Sequence, residues 1–294
     1  MIELTQLSKR YGDVVAVDGI SFTCRPGTVT GFLGPNGAGK STALRMLTGL
    51  TVPTSGRATI GGIRYADLPN PGRLVGVMLD ATAQHAGRTG VETLRLAAAV
   101  MGLPPARASD MLEAVGLGAA AARRVGDYSL GMRQRLGIGA ALLGDPAVLV
   151  LDEPANGMDP EGIRWMRVLL HDFAAGGGTV LLSSHLLGEV QATVDHLVVI
   201  GRGRVVADDR LDVLLARRGT TVRSIDDEAL AGDLRRAGIG VERAGTALRA
   251  DASAEQVGRI AASGGHVLLE LRDADGSALE DLFFELTSSD EVAA

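Results

Sequence analysis

The sequence predicts an α/β fold, a sheet of mainly parallel strands with helices around it, followed by a small α+β unit. Three observations carry this. A glycine-rich loop, Gly34-Pro35-Asn36-Gly37-Ala38-Gly39-Lys40-Ser41-Thr42, joins an apolar run to a helical pattern. A second apolar run, Ala147 to Leu151, ends in the acidic pair Asp152-Glu153. Beyond about residue 217 the pattern changes to short alternating strands and short helices.

The loop comes first because it organises the rest. Val29 to Leu33 reads as a buried strand, and Thr42 to Thr48 as a short helix ending at Gly49. Between them the glycines let successive backbone N–H groups and the positive helix end face a triphosphate. Lys40 would reach the β- and γ-phosphates, and the Ser41 hydroxyl would ligate Mg²⁺. The chain has only two lysines, Lys9 and Lys40, and 29 lysines and arginines together. A lysine kept at this position points to a need for a compact charge rather than a forked guanidinium.

Before the loop, residues 1–32 read as β-rich, with Ile20 to Cys24 following a turn at Asp18-Gly19. Tyr11 lies in this region, taken alone an ordinary strand-edge tyrosine or else a ring that stacks on a nucleotide base. After the first helix, Arg57 to Ile60 is expected to pair with a strand at Ile63-Arg64-Tyr65, and Leu74 to Leu79 forms another strand ending at Asp80. From about Val91 to Leu143 the apolar spacing turns helical, punctuated by Pro104-Pro105 and Gly116-Leu117-Gly118. Inside it Ser129 is placed to cap a helix whose first residues include Gly131 and Met132.

The Asp152-Glu153 pair has a specific chemical reading at the end of a buried strand. Asp152 holds Mg²⁺, directly or through water, and Glu153 polarises the water that attacks the γ-phosphate. A turn at Asn156 to Pro160 leads into a helix reaching about Ala175. A strand from Thr179 to Ser184 then delivers His185 to its carboxyl end, where open α/β sheets bind ligands. His85, His171, His196 and His266 read as surface residues. His196 to Ile200 and Arg204 to Ala207 form a hairpin, Leu211 to Ala216 a closing helix, and Arg217-Arg218-Gly219 a boundary. Residues 218–294 then carry strands at Thr221, Ala247 and Val267 and helices at Asp227 to Ala237, Ala254 to Ala262 and Ala278 to Leu286, with no chemical motif.

Composition narrows the class. At 294 residues the chain is long enough for about two domains. A net charge of −6 gives no sign of a nucleic-acid surface. The single cysteine, Cys24, excludes an intramolecular disulfide, Met1 to Leu4 does not begin a secretory signal, and no apolar run reaches the roughly 18 residues that span a bilayer. The expectation is a cytoplasmic chain that reaches the membrane only through a partner.

Together the segments resemble the nucleotide-binding subunit of an ABC transporter, over residues 1 to about 217. Ser129 to Gln134 is similar to the signature motif, Val148 to Glu153 to the Walker B strand, Asn156 to Asp159 to the D-loop, His185 to the switch histidine and Tyr11 to the base-stacking aromatic. The resemblance implies a P-loop NTPase core of RecA-like form with a β-rich N-terminal subdomain and a helical subdomain near 88–145. It implies ATP and Mg²⁺ as cofactors and a head-to-tail homodimer (a heterodimer being the alternative) in which Ser129, Gly131 and Met132 complete the partner's site. It also implies an ABC-2-type permease, with export of a drug, antibiotic or peptide. A non-transport ABC ATPase and an ATP-dependent regulatory switch are the rivals, although zinc-binding cysteines and heptad arms are lacking. Two departures stand out. Leu130 replaces a signature glycine, and Asp80 stands where the family's Q-loop has glutamine, an acidic substitution found in some bacteriocin-immunity and antibiotic exporters. Gln84 is a less favoured substitute.

Overall fold

The computed structural model describes residues 1–185, 187–216, 219–273 and 283. The chain divides into two compact units, Met1–Asp208 and a second that begins at Asp209.

The first unit opens with two long strands, β1 (Ile2–Tyr11) and β2 (Val14–Cys24), paired antiparallel. The turn joining them lies at Gly12-Asp13, with Gly12 at φ +57, and not at Asp18-Gly19 as the sequence predicts. Gly19 instead sits inside β2 at φ +63, opposite register shifts in β1. Both residues suit left-handed backbone, so a local turn signal and a bulge signal look alike in sequence. A third strand, β3 (Thr28–Leu33), leads into the phosphate loop and helix α1 (Lys40–Leu47). Next comes β4 (Ser55–Ile60), which joins the other edge of β1 to give the order β2-β1-β4. The strand expected at Ile63-Arg64-Tyr65 is absent. Ile63 makes a single bridge to Ile60, and Tyr65–Asp67 is a 3₁₀ turn held by the Arg64–Asp67 ion pair.

After β5 (Val75–Met78) come three helices, α2 (Gly90–Val100), α3 (Ala106–Ala114) and α4 (Leu130–Leu142). Thr89 caps α2 in a reciprocal capping box with Glu92. Leu94, Leu112, Val115, Val125 and Leu136 bury together as the core of this helical subdomain. The remaining elements of the large sheet are β6 (Val148–Asp152), β7 (Thr179–Ser184), β8 (His196–Gly201) and β9 (Arg204–Arg210), with α5 (Pro160–Ala175) and α6 (Leu187–Gln191) between strands. Strands run in the order β5-β6-β7-β3-β8-β9, and the pairs from β5 through β8 are parallel. β8 and β9 are joined by Arg202-Gly203, both at positive φ, as a two-residue type I′ turn requires. A single core joins the two sheets to α1. Ile2, Leu7 and Phe22 come from the small sheet, Leu44 and Leu47 from the helix, and Phe32, Val150 and Leu181 from the large one.

The second unit has helix α7 (Leu211–Ala216) and a sheet of β10 (Thr220–Ser224), β11 (Val241–Ala244), β12 (Ala247–Ala250) and β13 (Leu268–Asp273) in the order β11-β12-β10-β13. Helices α8 (Asp227–Arg236) and α9 (Ala254–Ser263) close its core around Val222, Leu230, Leu234 and Val257. Strand β11 was not expected. Val241-Glu242-Arg243-Ala244 is a polar edge strand with one β-branched residue, too weak to show a pattern. His266, expected on the surface, is largely buried against Asp233, its Nε2 lying 2.8 Å from Oδ2. The helix expected over Ala278 to Leu286, and Arg217-Arg218 of the expected boundary, lie outside the described residues, Phe283 apart. Among the described residues no helix is long and apolar enough to cross a membrane.

Helix α4 lies so close to β5 that the strand needs glycine at position 76, where a side chain would meet backbone. A Cβ on Gly76 would stand 2.2 Å from the Ala141 carbonyl oxygen, and one on Gly137 would stand 2.7 Å from the Met78 sulfur. Gly76→Ala should therefore push α4 off the sheet. The expected cost is roughly 1–3 kcal/mol, read as a lower denaturant midpoint.

Candidate functional site

Parallel register brings the site together. Leu33 of β3 pairs with Ser184 of β7, and Asp152 of β6 pairs with Ser183. The residues that follow these three strand ends are the phosphate loop, Glu153 and His185. They therefore emerge side by side at one edge of the sheet, where open α/β folds hold ligands.

The loop is built by contacts that only glycine permits. A Cβ on Gly34 would lie 2.5 Å from the Ile200 carbonyl oxygen. Gly39 has φ +106, and its Cβ would fall 2.4 Å from the Ala16 carbonyl oxygen. From outside, the β8–β9 turn braces the loop. The Gly203 N–H donates to the Ala38 carbonyl at 3.0 Å, and the Asp18 N–H donates to the Gly203 carbonyl at 2.8 Å. Helix α1 begins at Gly39 with no side-chain cap and no acidic residue in its first turn. Its first N–H groups are thus left for an anion. Around the Cβ position of Gly37 there is open space.

Lys40 is buried, and its ammonium donates to the carbonyls of Gly34 at 2.5 Å and Pro35 at 3.3 Å. Burial pulls its pKa below the ordinary lysine value, while the nearby Glu153 and Asp152 carboxylates act in the opposite sense. A buried cation with neutral partners and acidic groups within electrostatic reach is the arrangement a polyanion completes.

Across from the loop, Asp152 Oδ1 accepts the Ser183 hydroxyl, and the Glu153 N–H donates to the same Ser183 oxygen at 3.0 Å. Glu153 adopts φ +50, unusual for a residue with a side chain. Its Oε2 lies 2.8 Å from His185 Nδ1. Asp159 caps α5 by accepting the Gly162 N–H at 2.8 Å. Ser41 and Thr42 lie in the first turn of α1. Among the described residues, no three of His, Cys, Asp and Glu cluster as a metal cage. A divalent ion here would take few protein oxygens and leave positions for phosphate, as Mg²⁺ prefers.

Ser129 caps α4, its hydroxyl accepting the Met132 N–H at 3.2 Å. Leu130 packs over Gly157, where a Cβ would meet Leu130 Cδ2 at 2.1 Å. A Cβ on Gly131 would lie 3.2 Å from the Gly157 carbonyl oxygen. The signature-like turn and the segment after Glu153 are thus seated on each other. Asp80 is exposed at the end of β5, and its Oδ1 accepts both the N–H and the hydroxyl of Thr82, at 2.7 and 2.6 Å. These bonds, the side-chain one foremost, hold its carboxyl below the usual range. Gln84 donates to the Arg133 carbonyl at 3.1 Å. Tyr11 ends β1, half exposed, with the Lys9 ammonium 5.0 Å from its ring centroid. It pairs with Val14, two residues before Ala16 and its contact with the phosphate loop.

The sequence assigns no role of its own to Ser183, and Gln134 enters only as the last residue of the signature-like stretch. In the sequence Ser183 is only one residue of an apolar strand, and its partners are about thirty residues away. Gln134 donates to the Asn156 carbonyl at 3.1 Å and, more distantly, to that of Glu153 at 3.4 Å.

Residues 17–156 match the ABC transporter family. The chain is 41% identical over 220 residues to the bacitracin transport ATP-binding protein BcrA of Bacillus licheniformis, covering 74% of this chain and 72% of that one. The chain belongs to the ABC transporter family. It is an ABC ATPase, the ATP-hydrolysing subunit that energises a transporter. The lantibiotic transport ATP-binding protein SrtF of Streptococcus pyogenes is 34% identical to this ABC ATPase over 214 residues, 72% of this chain and 92% of that protein. A solved ATP-binding subunit of an ABC transporter aligns with a TM-score of 0.66 at 30% identity, over 73% of this chain and 91% of that one. The two sheets and the helical subdomain are the architecture of an ABC cassette.

The contact between Leu130 and Gly157 predicts a coupled pair in this ABC ATPase. Gly157→Ala should destabilise the chain by about 1–3 kcal/mol, through overpacking at φ +73. Leu130→Ala in the same chain should recover part of that loss, measured as a non-zero coupling energy in a double-mutant cycle.

Proposed function

We propose that this chain works as one of two ATPase subunits, preferably identical, beneath an ABC-2-type membrane permease that exports a drug, antibiotic or peptide. The observation that carries the catalytic reading is the Glu153–His185 hydrogen bond, with both site carboxylates within electrostatic reach of Lys40. The bacitracin and lantibiotic transport named for BcrA and SrtF supports the cargo class. Residues 1–217 act as the ATPase domain and 218–294 as an accessory domain.

In this reading Tyr11 stacks on the adenine, and the loop residues Gly34, Pro35, Asn36, Gly37, Ala38, Gly39, Lys40, Ser41 and Thr42 enclose the phosphates. Lys40 exchanges the Gly34 and Pro35 carbonyls for phosphate oxygens. Ser41, Asp152 and Asp80 would hold Mg²⁺, which when bound neutralises charge on the phosphates. Asp80 suits this because its bonds to Thr82 keep it ionised. Glu153 accepts a proton from water, whose oxygen bonds to the γ-phosphorus as the bond to the β-phosphate oxygen breaks and ADP leaves. His185 orients Glu153 and touches the γ-phosphate. Ser129, Gly131 and Met132 present the N-terminus of α4 to the nucleotide of the partner subunit, and Asp159 lies along the same interface. ATP thereby joins two surfaces that its hydrolysis releases. Through the permease, the pair sits at the inner face of the membrane.

Glu153→Gln should abolish hydrolysis and hold an ATP-bound dimer, visible by size-exclusion chromatography in magnesium ATP. A variant that stays monomeric and hydrolyses normally would remove Glu153 as the base. Lys40 supplies a pH signature. The triphosphate favours the charged ammonium, whereas burial lowers its pKa in the free chain. ATP affinity should therefore fall as pH rises through that lowered value, beginning below the ordinary lysine range, and Lys40→Met should lose both the affinity and its pH dependence in isothermal titration.

A further inference from the structure

We propose that Ser183 and Gln134 are positioning residues that clamp Glu153 by its backbone, one on each side of its Cα. The inference rests on Glu153 being the base. Glu153 stands in left-handed backbone at φ +50, a region that residues with a Cβ occupy only when their surroundings hold them there. Its N–H is held by the Ser183 oxygen at 3.0 Å, and its carbonyl accepts a longer bond from Gln134 Nε2 at 3.4 Å.

Both partners are built into the interior, Ser183 at 0% and Gln134 at 5% exposure. The Ser183 proton is directed at Asp152 Oδ1, which leaves its lone pairs for the Glu153 N–H. One hydroxyl therefore sets the direction of the first carboxylate and the backbone of the second. Gln134 reaches in from α4 and also donates to the Asn156 carbonyl, so its amide spans the turn that follows Glu153. If either hold is lost, Glu153 relaxes towards right-handed backbone and its carboxylate swings away from His185. Neither Ser183 nor Gln134 is itself placed against nucleotide, so the clamp acts on turnover; because Ser183 also holds the Asp152 carboxylate assigned to Mg²⁺, ATP affinity is compared without the metal.

The test compares Ser183→Ala, Ser183→Thr and Gln134→Ala in the whole chain. It measures kcat, ATP Kd without magnesium, and hydrogen exchange of the Glu153 amide by mass spectrometry. Loss of one buried hydrogen bond to the base predicts a kcat about tenfold lower in Ser183→Ala and Gln134→Ala, with ATP Kd within about twofold of the parent. Exchange at Glu153 should quicken in Ser183→Ala, and Ser183→Thr, which keeps the hydroxyl, should restore both turnover and protection. Unchanged kcat in either alanine variant, unchanged exchange in Ser183→Ala, or equal losses in the alanine and threonine variants would overturn the clamp. Glu153→Gln measured alongside separates the two ideas. Normal hydrolysis in that variant removes the base reading, whereas an inactive Glu153→Gln beside a fully active Ser183→Ala removes only the clamp.

Discussion

The phosphate loop, the acidic pair and His185 all depend on the parallel alignment of β3, β6 and β7. Leu33 opposite Ser184, and Asp152 opposite Ser183, put three loop starts in one row. A slip of one residue in any pairing would turn side chains to the other face and separate the carboxylates from the lysine. The apolar core under the row, with Phe32, Val150 and Leu181 at its centre, is what holds that register. Packing and catalysis are here the same constraint seen at two depths of one sheet.

Charge placement follows from this geometry. The loop keeps its one lysine buried, with carbonyl oxygens as partners and acidic groups nearby. Such a cation is costly to bury without a counter-ion, and the cost is offset when a polyanion enters. The loop thus carries in its own geometry part of the preference for nucleotide that the chain expresses on binding.

Much of the site was legible because its signals are local. The phosphate loop needs glycines, a lysine and a hydroxyl within nine residues, and a strand and helix on either side confirm it. Ser129 as a cap and Asp152-Glu153 at a strand end depend on neighbours in sequence, and the structure has the cap and the strand end there. Misreadings arose where two backbone devices share a residue preference. Asp18-Gly19 has the composition of a turn but serves as an irregularity within β2, while the chain reverses at Gly12-Asp13. Ser183 and Gln134 escaped for the opposite reason. A serine in an apolar strand and a glutamine on a helix acquire meaning only when the sheet and α4 bring Glu153 to them. Leu130 read as a departure from a motif, and its partner Gly157 became apparent only in three dimensions.

That last pairing bears on how such cassettes exchange parts. Leu130 occupies the room that a bare Gly157 leaves, so the two positions form one steric unit on separate segments. Grafting a diglycine signature from a relative into this chain would open a hole beside the 157 backbone. Importing a bulkier D-loop alone would meet the leucine head-on. Drift at one position is therefore conditional on the other, and chimeras that respect the pair retain the fit between the two segments.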